Sequence, residues 1–241
     1  DPGDSVTVVN ASSRSASARI SVYDNQGRPA GGADLSLAPH GGYSGPLADL
    51  FPGIGPPAGY AVVETLASNG TAGEVLAGFE AADGAVVDAL TASSRSGRFA
   101  QAMSGAGYRS VLTVVNPNSA AQDIRVSLGA SSPASEALYS TQRTVPAKGR
   151  IAIDLSELLP GSSAGIVTGW ASWQAAADGG ALASFLEITA PGSEVPVVLP
   201  AEPEGSTELA FTVPVAGVNT YLGVALLNPN GANTTVFMER Y

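Results

Sequence analysis

Enzymes that use a Ser-His-Asp triad, a zinc ion or a pair of carboxylates need particular side chains at particular spacings, and few are present in this chain. His40 is the single histidine, so any triad would have to use it. It sits in Ala38-Pro39-His40-Gly41, a turn whose counterpart later in the chain carries Lys148. A turn position that takes lysine as readily as histidine reads as structural. Cysteine is absent, which removes a thiolate nucleophile and a disulfide framework. A zinc site would then rest mostly on carboxylates, an unusual donor set. Calcium needs only oxygen ligands, but no Asp-x-Asp-x-Asp-Gly loop occurs. Asp24-Asn25-Gln26-Gly27, Asp83-Gly84 and Asp178-Gly179-Gly180 each bring one carboxylate to a turn, as ordinary hairpins do. Glycoside hydrolysis would need two acids facing each other across a cleft. Glu64, Glu74 and Glu80 fall on adjacent expected strands, yet the related stretch has Thr168-Gly169-Trp170, Gly180 and Leu186 there. The expectation is a protein that is not an enzyme, with no metal and no cofactor.

Two weaker chemistries concern binding and modification. Trp170 and Trp173 stand three apart, which on a strand puts them on opposite faces. One belongs to the core, and the other is a candidate platform for a sugar ring. Asn10-Ala11-Ser12, Asn69-Gly70-Thr71 and Asn233-Thr234-Thr235 match the acceptor triplet for N-glycosylation, making Asn10, Asn69 and Asn233 weak candidates. Gly53-Ile54-Gly55-Pro56-Pro57 lacks the lysine and the following helix of a phosphate loop.

The 241 residues carry 11 Lys+Arg against 21 Asp+Glu, a net charge of −10, and Lys148 is the sole lysine. Such a chain has no clustered basic face for nucleic acid and no polybasic patch for an anionic membrane. No apolar stretch approaches the ~18 residues that a membrane-spanning helix needs, so no membrane insertion is expected.

What must position any site is a set of strands, and these come in copies. Thr113-Val114-Val115-Asn116-Pro117-Asn118 has counterparts at Thr7-Val8-Val9-Asn10-Ala11-Ser12 and Ala225-Leu226-Leu227-Asn228-Pro229-Asn230. Phe99 through Asn118 aligns without a gap to Phe211 through Asn230. Leu47-Ala48-Asp49-Leu50-Phe51-Pro52-Gly53 likewise matches Leu155-Ser156-Glu157-Leu158-Leu159-Pro160-Gly161. Inside a copy the apolar period is two: Ala18, Ile20 and Val22, then Ile124, Val126 and Leu128, the signature of half-buried strands. The one helical hint is Leu47–Phe51 with its copy, a single turn crossing between sheets. The fold class expected is all-β: tandem β-sandwiches at 1–95 and 98–200, elongated, with a partial third copy at 209–241.

The run Val145-Pro146-Ala147-Lys148-Gly149-Arg150, then Ile153-Asp154-Leu155 and a Pro-Gly turn after an Asn-Pro-Asn strand end, resembles a repeat of bacterial secreted proteins. Such repeats are similar to immunoglobulin-like sandwiches and occur in tandem in large exported or surface proteins. The resemblance implies an extracellular or cell-surface location and names no activity. Copy one departs from it, with Ala11-Ser12 for Pro-Asn and His40-Gly41-Gly42 for Lys-Gly-Arg.

The functional expectation is a structural subunit of an extracellular fibre or surface assembly. Phe99–Met103 precedes copy two and Phe211–Val215 precedes copy three, but copy one, beginning five residues before Val6, has no such segment. Phe211, Val213, Val224, Leu226, Val236 and Met238 are too apolar for a solvated tail. They are candidates for completing copy one of a neighbouring subunit by β-strand addition, giving a head-to-tail homopolymer. The alternative is a carbohydrate-binding or adhesin module with polysaccharide as partner.

Overall fold

Branched residues at every second position favour an extended backbone and give each strand one apolar face. The computed structural model describes residues 4–52, 59–66, 75–80, 86–88, 94–130, 139–158, 165–193, 196–202, 225–228 and 235–236. The first strands are β1 (Ser5–Asn10), β2 (Ala16–Asp24), β3 (Pro29–Leu37), β4 (Gly42–Pro46), β5 (Gly59–Leu66), β6 (Val75–Glu80) and β7 (Val86–Asp88). Eight follow: β8 (Ser96–Ser104), β9 (Arg109–Val115), β10 (Gln122–Ala130), β11 (Tyr139–Val145), β12 (Arg150–Asp154), β13 (Val167–Ala175), β14 (Ala183–Thr189) and β15 (Val197–Pro200). All-β is therefore the architecture, as the two-residue period predicts.

Every named strand pairing is antiparallel. The first seven strands form sheets ordered β4-β1-β6-β7 and β3-β2-β5; the other eight form β12-β9-β14-β15 and β11-β10-β13-β8. Each pair of sheets faces inward on its own core. Val6 and Val8 of β1 meet Ala18 and Ile20 of β2, with Leu37 and Phe51. Leu112 and Val114 of β9 meet Ile124, Val126 and Leu128 of β10, with Trp173 and Leu186. The chain crosses from one sheet to the other through α1 (Leu47–Leu50) in the first pair and a 3-10 turn (Leu155–Leu158) in the second, where the Leu47–Phe51 pattern predicts a turn. In chain order, β9 to β15 occupy the places of β1 to β7. Among the described residues the second pair holds one strand more, β8, on the outer edge of β13.

Trp173, 2% exposed, fills much of the second core, and its Nε1 donates to Ser184 Oγ at 2.6 Å. Across the ladder it faces Gly97 of β8. A Cβ at Gly97 would fall on the indole nitrogen and on Ala201, so only glycine fits beside this tryptophan.

The turn after β2 joins the two pairs of sheets. Gly27, at φ 81°, lies so close to the Ala147 carbonyl that a side chain there would overlap it. Arg150 donates its backbone N–H to Asn25 O at 3.1 Å and its Nε to Asn25 Oδ1 at 2.5 Å. Tyr60 of β5 stacks on Tyr23, with ring centroids 5.5 Å apart, and its hydroxyl donates to Lys148 O at 2.7 Å. Burial, reinforced by Tyr23, pushes the Tyr60 phenol up to about 12. An unfolded tyrosine ionises near about 10, so the folded state holds its proton longer. This contribution to stability is intact below the unfolded value and is lost as pH rises through the folded one. The melting temperature of the parent should fall more steeply across that window than that of Tyr60→Phe, which cannot ionise; parallel curves would refute the assignment.

Candidate functional site

The repeated asparagines are the most heavily bonded polar side chains of the strand ends. Asn116 is fully buried; its Nδ2 donates to Ala120 O, Val145 O and Pro146 O at 2.9, 3.3 and 2.9 Å. Its Oδ1 accepts from the backbone N and the Nδ2 of Asn118, each at 2.9 Å. Asn10, also fully buried, repeats this: Nδ2 to Arg14 O and Ala38 O at 2.6 and 2.9 Å, with Oδ1 accepting from Ser12 N and Oγ at 3.0 and 2.7 Å. A buried amide can satisfy carbonyls that the ladder leaves over, which is why asparagine sits there. Asn10, one of the three acceptor triplets, thus has its Nδ2 buried and bonded to backbone carbonyls. Asn69 and Asn233 lie outside the described residues.

The other chemical candidates disperse. His40 is exposed in the turn Ala38–Gly41 at φ 53°, the same left-handed backbone as Lys148 at φ 51°. Asp24 spends its carboxylate on its own turn, accepting from the backbone N–H of Arg28 and Gln26 at 2.9 Å each and from Arg28 Nε at 2.7 Å. These bonds, the backbone N–H of Arg28 foremost, hold its carboxyl below the usual range. Glu64 stands beside Arg19 in the ladder, and Arg19 bonds Asp34 on the next strand at 3.0 Å. Asp83 and Glu74 fall outside the described residues. No group of three His, Cys, Asp or Glu among the described residues could hold a metal ion. Trp170 is half-buried and lies across Gly129 of β10, while Trp173 is core.

One sheet edge and two exposed side chains stand apart from this bonding. In the pair with β2, Val22, Ile20 and Ala18 oppose Ala61, Val63 and Thr65 of β5. At the same places in the second sandwich, Leu128, Val126 and Ile124 oppose Ala171, Trp173 and Ala175 of β13. Those three are 0%, 2% and 8% exposed. Ala61, by contrast, is exposed, and Val63 and Thr65 are half-buried. The difference follows from β8, which covers the edge of β13, whereas among the described residues nothing pairs with β5 beyond β2. An open ladder offers unused N–H and C=O groups to another strand.

The exposed side chains belong to the segment aligned with β1 and β9. Leu226 aligns with Val8 and Val114, both 0% exposed, yet is itself 48% exposed. Val236 aligns with Ala18 and Ile124, 0% and 1% exposed, and is 55% exposed. Phe211, Val213, Val224 and Met238 lie outside the described residues.

These features define an all-β protein of antiparallel sheets in sandwich-like pairs. No family model and no curated protein matches the chain. Among solved structures it is similar to the crystal structure of Thermotoga maritima 1070, with a TM-score of 0.36 and 11% identity, over 46% of this chain and 95% of that one.

Proposed function

We propose that this chain is a non-enzymatic, exported structural protein, a subunit of an extracellular fibre or surface assembly. In this reading two immunoglobulin-like sandwiches stand in tandem, elongated, with part of a third copy at 209–241. The shared strand order and the matching Asn10 and Asn116 bonds support the repeat. Export rests on the resemblance of the Asn-Pro-Asn repeat to secreted proteins.

The observation that carries assembly is the exposure of Leu226 and Val236, 48% and 55%, at positions whose counterparts are core. An apolar side chain of this size gains about 1.5–3 kcal/mol on full burial, so surfaces that cover both favour association. The test is deletion of residues 209–241, followed by sedimentation over a range of concentrations and electron microscopy. The parent should form ordered species that grow with concentration, and the shortened chain should stay monomeric. A parent that remains monomeric at high concentration sinks the reading.

The second reading, a carbohydrate-binding or adhesin module, has Trp170 in its support. Its ring lies on the outer face of β13 with Ser172 and Gln174 on the same strand. Monomers that bind a glycan array through this face would favour it over assembly.

A further inference from the structure

We infer that the outer face of β10, β11 and β13 binds a neutral polysaccharide. The inference rests on the carbohydrate reading above and gives it a ligand class and contact residues.

The two pairs of sheets differ on this face. Arg19 and Arg125 hold the same place in their ladders, each on the middle strand of three. Arg19 stands between Asp34 and Glu64 and bonds Asp34 at 3.0 Å. Arg125 stands instead between Gln142 and Gln174. Its Nε donates to Ser140 Oγ at 2.9 Å, and among the described residues no carboxylate pairs with it. Gln142 and Gln174 are both exposed, and neither amide bonds another described side chain. With Arg125 and Asp123 they line a shallow hollow of about 290 Å³. Where the first pair of sheets closes its arginine in an ion pair, the second leaves a guanidinium and two amides exposed. An amide both donates and accepts hydrogen bonds, and so does each hydroxyl of a sugar.

Trp170 adds an aromatic surface to the same face. It stands four residues from Gln174 on β13, a span of about 13 Å along a strand. Opposite it is the buried Gly129, and Cε2, Nε1 and Cζ2 of the indole all crowd the place that a Cβ there would take. The ring therefore lies flat against the sheet over the glycine, as a stacking surface must. Ser127 and Ser172, opposed in the ladder, lie between the ring and the hollow, so no bulky side chain interrupts the path. A row of sugars laid along it would stack on the indole and offer its hydroxyls to Arg125 and the two amides. The net charge of −10 and the Asp123 carboxylate in the hollow disfavour acidic sugars, which leaves neutral ones.

The test is affinity electrophoresis through gels that contain β-glucan, xylan, mannan or polygalacturonate. At least one of the three neutral polysaccharides should retard the parent, and polygalacturonate should not. A double variant, Gln142→Ala with Gln174→Ala, and a Trp170→Ala variant are each checked for folding by circular dichroism. Each should bind that polysaccharide about tenfold more weakly, as the loss of one or two direct contacts implies. Arg19→Ala, at the equivalent place on the other pair of sheets, should bind as the parent does. Binding to a neutral polysaccharide that the double variant and Trp170→Ala leave unchanged would keep the carbohydrate reading and overturn this face. Retardation by polygalacturonate alone would overturn the ligand class. If none of the four retards the parent, the face and the carbohydrate reading fall together.

Discussion

Asn116→Ala is expected to unfold the second sandwich under conditions in which the parent remains folded. The substitution removes the fully buried Asn116 amide and strips a partner from the buried Val145 O and from the partly exposed Ala120 O, Pro146 O and Asn118 N–H. A buried group left unsatisfied costs about 1–3 kcal/mol, so the loss is on the order of 3–5 kcal/mol against a total stability of roughly 5–15. Both tryptophans of the chain, Trp170 and Trp173, sit on β13, so their fluorescence follows the second sandwich alone. The urea midpoint read from that fluorescence should drop sharply for Asn116→Ala and move far less for Asn10→Ala. Equal shifts would mean that the two asparagines stabilise one cooperative body.

The second large effect is a compensating pair. Gly97→Leu places a side chain where the Trp173 ring and Ala201 already are, and overpacking of this kind costs about 1–3 kcal/mol or more. Trp173→Val removes most of the indole and its bond to Ser184, at a cost of about 3–5 kcal/mol. The double variant exchanges the glycine and tryptophan for leucine and valine, and should lose less than the sum of the two. A coupling of about 1–3 kcal/mol is expected for residues in direct contact. Strict additivity in urea unfolding would show that the leucine does not fill the space left by the ring.

The strands and turns were readable because their causes are local. Val6, Val8, Ala18 and Ile20 alternate with polar residues, and each is buried. Asn-Pro-Asn marks a strand end, and Leu47–Phe51 marks the crossing turn. The contacts between the sandwiches were not readable, since Tyr60 and Lys148, or Asn25 and Arg150, are brought together by tertiary packing alone. Nothing about Asp24-Asn25-Gln26-Gly27 as a turn says that its outer surface is covered. The burial of Asn10 was not readable either: a triplet of acceptor type carries no sign that its asparagine faces inward. The interlock of Gly97 with Trp173 was also hidden, because a glycine in a strand carries no sign of the partner that requires it.

The bridge between Arg98 and Glu202 has a mechanical consequence. Arg98 N donates to Glu202 O, and Glu202 N to Arg98 O, each at 3.0 Å. Ser94, where the chain comes in from the first sandwich, is bridged to Leu182 only four residues before Arg98. The points at which tension would reach the second sandwich thus lie side by side at one end of β8. A pull between them loads this short bridge first, while the ladders around Leu112, Val126 and Trp173 carry little of it.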